Sequence, residues 1–212
     1  MSNKMKIAGD LTIEGWYKTR EKLKPLYNDN WEKAYEYFYQ RIEFRYLKPI
    51  RAILALTDKK GEGFAVVNLQ CSLIETIECF VNGWTHKHPY YVDLNGVSFK
   101  GNEKVFKSFF NNRVRIGISG KDFYRSVRCS LLHETQTKNN WKIKKSRDKR
   151  KAFEVKESFK ILYRDGFQYE IDELLKKYKS AIVEGKPFDD NISVCSLREN
   201  FIIKMNHICK QS

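Results

Sequence analysis

The chain has 212 residues, 42% of them hydrophobic and 14% aromatic, with 40 Lys plus Arg against 26 Asp plus Glu for a formal net charge of +14. That content is too apolar for a disordered basic tail, and the length admits one domain with a real hydrophobic core. The longest unbroken apolar stretches, such as 52–56 and 64–67, fall far short of the ~20 residues a bilayer crossing requires, and no apolar run follows the basic N-terminus to make a secretory signal.

Residues 1–28 carry no long period and read as an N-terminal segment. Residues 29–212 are expected to form a single helical domain with a basic insertion at 138–160. A helix starting near Asn30 is predicted from Trp31, Tyr35, Phe38, Ile42 and Tyr46, which recur at three- and four-residue steps. Asp29 or Asn30 can cap it, and Pro49 should kink or interrupt it before 50–56 continue. After a turn-rich connection at 57–63, Phe64, Val67, Cys71, Ile74, Ile77 and Val81 form the clearest apolar stripe of the chain, ending near Asn82 and Gly83. Residues 84–101 read as an irregular connection. A short helix is predicted over 103–110, and another over 121–135 with Phe123, Val127 and Leu131 inward. Residues 141–143 and 153–155 flank a basic run and could pair as a hairpin, with 161–163 as a third short strand. A helix over 167–184 and a last one using Leu197, Phe201, Met205 and Ile208 complete the chain. The class is mainly α, a helical bundle with a small β-hairpin excursion near residues 141–163.

Charge is concentrated. Residues 100–160 hold 18 basic and 6 acidic residues, a net of +12, which leaves +2 for everything else. Its densest part is Lys142, Lys144, Lys145, Arg147, Lys149, Arg150 and Lys151, a run that suits a polyanion through phosphate neutralisation and counterion release. Trp141 beside it is the one tryptophan whose neighbours make stacking on an RNA base plausible. Just upstream, the string Tyr124-Arg125-Ser126-Val127-Arg128-Cys129-Ser130-Leu131-Leu132-His133 sets Arg128 and His133 in an R-x4-H arrangement near a helix end. An imidazole can take the proton of a ribose 2′-OH, and a guanidinium can bind the scissile phosphate and stabilise charge on its oxygens. On a straight helix a five-residue separation leaves the two side chains ~140° apart. Either the helix unwinds, or two copies bring their motifs together.

This R-x4-H motif at the end of a helix, in an otherwise helical domain, resembles the HEPN superfamily. The resemblance implies a HEPN-like helical bundle over residues ~30–210 and a metal-independent endoribonuclease, the effector of a bacterial toxin or an antiphage or CRISPR-type defence system. It implies Arg128 and His133 as catalytic residues, composite sites at a dimer interface, and RNA as substrate. Arg125, one turn before Arg128, joins the 141–151 residues as an RNA-binding candidate by its place on the helix. The partners expected are a second copy or another HEPN domain, and an antitoxin or defence-system protein. The chain departs from the family at Cys129, where a polar residue usually follows the arginine. It departs again at Thr135, where one toxin subgroup carries tyrosine. The alternative is a non-catalytic domain of the same fold that holds RNA, a nucleotide or a partner within a larger assembly.

Other signals are weaker. Cys71, Cys79, Cys129, Cys195 and Cys209 are an odd set without a CxxC pair, which argues against a disulfide framework and a structural zinc site and fits a reduced, cytoplasmic protein. His86 and His88 have no acidic or thiol neighbour within reach and read as an ordinary loop, while His207 reads as a packed or capping residue. No phosphate-binding glycine loop, dinucleotide fingerprint or GxSxG elbow is present, and no cofactor or metal is expected.

Overall fold

The computed structural model describes residues 5–56, 60–100, 102–114, 117–148 and 150–211. In chain order it runs β1 (Lys6–Ala8), β2 (Leu11–Thr12), α1 (Ile13–Arg20), α2 (Trp31–Ile42), a π-helical turn (Glu43–Leu47), α3 (Lys48–Leu54) and α4 (Glu62–Asn82). Then come β3 (Thr85–Lys87), β4 (Tyr90–Val92), β5 (Ser98–Lys100), α5 (Glu103–Asn112), α6 (Gly120–Phe123), a second π turn (Tyr124–Cys129) and α7 (Ser130–Glu134). The rest is β6 (Trp141–Lys144), β7 (Phe153–Val155), β8 (Lys160–Tyr163), α8 (Arg164–Lys179), a third π turn (Ser180–Glu184) and α9 (Val194–Gln211). The mainly α expectation holds. The chain forms two compact units, one from Met1–Lys48, Cys79–Lys100 and Lys176–Ser212, the other from Pro49–Glu78 and Gly101–Leu175.

The first unit is built on aromatic packing. Trp16, Trp31, Phe38, Phe80, Tyr178 and Phe201 have no exposed surface, and edge-on contacts such as Phe38 to Phe80 (4.7 Å) and Trp31 to Phe201 (6.1 Å) tie them together. The N-terminal segment belongs to this core: Thr12 caps α1 by accepting from the Gly15 amide at 3.1 Å, and α1 buries Ile13 and Trp16. Asn30 stands at the start of α2 in the left-handed region (φ 67), and its side chain donates to the Lys22 carbonyl instead of capping. Arg198 is 1% exposed without a carboxylate partner among the described residues; it donates to the carbonyls of Pro25, Tyr27 and Ile182 and to Asn28.

Pro49 does not interrupt the helix. Proline lacks an N–H and crowds the carbonyl four residues back, and the π turn at Glu43–Leu47 widens the helix where that crowding falls. One extra residue per turn also shifts the apolar stripe, so Leu47 (5% exposed) follows Ile42 inward in place of the expected Tyr46. In α4 the stripe is as expected from Val67 to Val81, except that Phe64 at its start is 37% exposed. By length and composition α4 could cross a membrane, but 61% of that window is buried inside the protein, as in a core helix. The stretch expected to be irregular is not: over 85–100, β3, β4 and β5 form an antiparallel sheet. Its strands have three residues each, too few to display alternation. The Asp93 carboxylate, accepting from the Asn95 and Val97 amides at 3.0 Å, builds the β4–β5 turn.

In the second unit the interlocked rings of Phe106, Phe110, Phe123, Phe153 and Phe167 form the core. The expected hairpin is corrected. β6 and β7 do not pair with each other; both pair with β8, β6 in parallel and β7 antiparallel, in the order β6-β8-β7. Ile161 and Leu162 are both buried, which suits a central strand, whereas the long basic link between β6 and β7 is no tight turn. Helix α8 begins at Arg164, ahead of the expected start at 167, and runs through Gly166, which lies under a crossing backbone. A Cβ there would overlap the Lys151 carbonyl group. Gly166→Ala is therefore expected to cost about 1–3 kcal/mol, seen as a lower urea midpoint at unchanged slope.

Candidate functional site

The R-x4-H helix starts at Ser119, whose hydroxyl accepts from the Asp122 amide at 3.3 Å, and ends at Thr135 in the left-handed region (φ 55). Phe123, Val127 and Leu131 face the core as expected. Between its two α-helical ends lies the π turn Tyr124–Cys129, which contains Arg125 and Arg128 but stops before His133. The widening thus removes only part of the angular separation between Arg128 and His133.

Arg128 is a half-buried, anchored cation. Its Nε donates to Glu75 Oε1 at 2.8 Å, with 20% of the arginine side chain and 16% of the glutamate exposed. Burial, the largest single influence, disfavours the charge, yet the charge and hydrogen bond of Glu75 outweigh it and hold the guanidinium above its usual pKa. Both Nη groups of Arg128 have no hydrogen-bond partner among the described residues and stay available to a planar anion. Tyr124 lies beside the arginine, its hydroxyl pushed up to about 12 by burial and by the Cys129 thiol next to it. His133 is exposed and has no hydrogen bond or ion pair among the described residues. The helix therefore offers one clamped guanidinium and one free imidazole, and no hydrogen bond joins the two.

Asp122 and Ser126, one turn apart, fasten this helix to the chain around β6 and β8. Asp122 accepts from Ser126 Oγ (2.9 Å), Trp141 Nε1 (3.0 Å) and Lys160 Nζ (2.7 Å). Ser126 accepts from Asn139 at its hydroxyl (2.8 Å) and from the Lys138 amide at its carbonyl (2.8 Å). Burial pushes Asp122 upward most, but the donors from Lys160, Trp141 and Ser126 together hold it below the usual 3.8. A depressed carboxylate stabilises the fold above its unfolded value and loses that contribution as pH falls through the folded one. Below about pH 4 the Trp141 indole N–H is accordingly expected to exchange faster by NMR.

The candidate RNA contacts divide sharply. Trp141 is 4% exposed and edge-on to Phe123 at 5.7 Å, so the stacking role is corrected: its faces are core surface. Arg125 is exposed but donates to Glu103 at 3.0 Å, and Lys151 pairs with Glu154 at 2.7 Å. Arg150 lies over the Tyr169 ring at 5.9 Å. Lys142, Lys144, Lys145 and Arg147 are exposed with no ion pair among the described residues. Lys149 lies outside the described residues. With Arg150, which has a ring but no carboxylate against it among the described residues, five of the run keep an uncompensated charge.

Glu75, Asp122 and Ser126 escaped sequence reading. Glu75 is 53 positions from Arg128, and nothing in the stripe of α4 marks it, whereas Asp122 and Ser126 share the four-residue step of one helix face and could have been singled out. Among the described residues no three of His, Cys, Asp and Glu come together as a metal site. His86 lies edge-on to Tyr91 at 5.0 Å, and its carbonyl is 3.1 Å from His207 Nε2. Burial, foremost, lowers the pKa of His207. Compared with protein-family models, curated proteins and solved structures, the chain matches none.

Proposed function

We propose that this chain is a HEPN-type endoribonuclease that needs no metal, the cytoplasmic effector of a toxin or antiphage/CRISPR-type defence system. The observation that carries the reading is the free imidazole of His133 on the same short helix as an arginine held by Glu75 with its Nη edge uncommitted. His133 takes the proton from a ribose 2′-OH, whose oxygen attacks the adjacent phosphorus. The bond to the 5′-oxygen breaks, that oxygen takes back the proton now carried by the His133 imidazolium, directly or through water, and the products carry a 2′,3′-cyclic phosphate and a 5′-OH. Arg128 binds the non-bridging oxygens as charge builds on them. Because the two side chains diverge around the helix, a second copy or a related HEPN domain completes each site about a two-fold axis. Lys142, Lys144, Lys145 and Arg147 hold the RNA backbone.

The test is digestion of RNA in EDTA by wild type and His133→Ala, with sedimentation of the active species. Equal cleavage by both proteins, or cleavage abolished by EDTA, overturns the mechanism, and full activity in a strict monomer overturns the composite site. A second reading has its own support: Glu75 already balances the charge of Arg128, as in a domain that binds RNA or a partner without cutting. RNA affinity unchanged in His133→Ala, with no cleavage by either protein, favours it.

A further inference from the structure

Phe159 lies outside the aromatic cluster of its unit. Phe106, Phe110, Phe123, Phe153 and Phe167 interlock with one another, whereas Phe159 is half-exposed in the turn between β7 and β8, where its carbonyl accepts from the Lys156 amide at 2.9 Å. Its ring neighbours are cations. Lys142 Nζ lies 4.5 Å from the ring centroid and Lys156 Nζ 5.4 Å. Lys156 is balanced by Glu154 at 3.0 Å, but the Lys142 ammonium has no carboxylate among the described residues. Lys144 follows on the same exposed side of β6, about 7 Å further along the strand, a spacing on the scale of neighbouring phosphates in an extended single strand.

We propose that Phe159 is a stacking platform for a base of single-stranded RNA, with Lys142 and Lys144 on the flanking phosphates. The Lys142 ammonium lies over the ring; a nucleobase takes its place on that face, and the flanking phosphates offer the displaced ammonium the counter-charge the protein withholds. The platform is held in place beforehand: the Lys160 amide donates to the Asn140 carbonyl at 3.1 Å, and the Lys160 ammonium is anchored on Asp122. A duplex keeps its bases stacked on one another, so it meets the lysines but not the ring. The proposal rests on reading these strands as an RNA surface, and it transfers to Phe159 the role that burial denies Trp141.

The experiment measures binding of a fluorescein-labelled 12-nucleotide U-rich RNA, and of a 12-bp RNA duplex, to the full-length His133→Ala protein across a salt series. Phe159→Ala is expected to weaken single-strand binding about tenfold with an unchanged salt slope and unchanged duplex binding. Phe159→Trp restores the affinity and Phe159→Leu does not, which separates stacking from folding. Lys142→Gln is expected to lower the salt slope by about one for both RNAs. The platform is overturned if Phe159→Ala or Phe159→Leu binds the single strand like the parent, or if single strand and duplex weaken together. Absence of salt-sensitive binding to either RNA by the parent protein is the separate result that removes the RNA-surface reading itself.

Discussion

Replacing His133 by alanine is expected to lower single-turnover RNA cleavage in EDTA by about 10²–10⁴-fold, the range of a lost general base, or about 3–5 kcal/mol of barrier. The side chain is exposed and makes no hydrogen bond among the described residues, so stability should stay within about 0.5 kcal/mol of wild type. That separation makes the imidazole a cleaner probe than the arginine. Arg128→Ala would leave Glu75 unpaired in a half-buried position and confuse loss of phosphate binding with loss of packing. Arg128→Lys keeps the charge but loses the fork; it should retain the ion pair and lose most of the cleavage. Cleavage that survives His133→Ala while failing in Arg128→Lys would assign the proton transfer to another group.

Periodicity reveals elements whose burial repeats over several turns, and it served well for α4 from Val67 onward, for α9 as far as Met205, beyond which Cys209 and not Ile208 is buried, and for the inward face of the R-x4-H helix. It is blind to a change of pitch. Leu47 replaces Tyr46 in the core because a π turn adds one residue to the cycle, and the π turn at Tyr124–Cys129 alters the angle between Arg128 and His133 in the same way. Strands of three residues, as in β3–β5, are too short to show alternation, and the order β6-β8-β7 depends on which strand buries both faces. Within the candidate site, the residues proposed to do chemistry, Arg128, His133 and the lysines without an ion pair, are ones the sequence points to by type and spacing. What restrains them was not, since Glu75 reaches Arg128 across 53 positions. The misplacement of Trp141 has a similar cause. Basic neighbours in sequence said nothing of the side chain's direction, and alternation along β6 turns Lys142 and Lys144 outward and Trp141 inward.

Glu78→Ala is expected to destabilise the second unit by about 3–5 kcal/mol, the range for breaking a buried ion pair by removing one partner. Glu78 has no exposed side-chain surface and Arg113 only 4%; they meet at 2.9 Å, and the other carboxylate oxygen accepts from Ser108 at 2.6 Å. Removing the carboxylate takes away the acceptor that the buried Arg113 guanidinium and the Ser108 hydroxyl share. Glu78→Gln keeps the volume and one acceptor and should lose less, while Glu78→Met with Arg113→Met, which removes both charges, should recover most of the loss. A double-mutant cycle of urea midpoints reads all three. If Glu78→Ala costs under about 1 kcal/mol, the pair is solvated and the burial argument fails. One turn earlier on the same helix, Glu75 grips Arg128 at a site that still reaches solvent. Its loss should cost less stability than that of Glu78 and weigh instead on the orientation of Arg128. Thus α4 carries two carboxylates three residues apart, one holding α5 through Arg113 and Ser108 and the other holding the helix that presents His133.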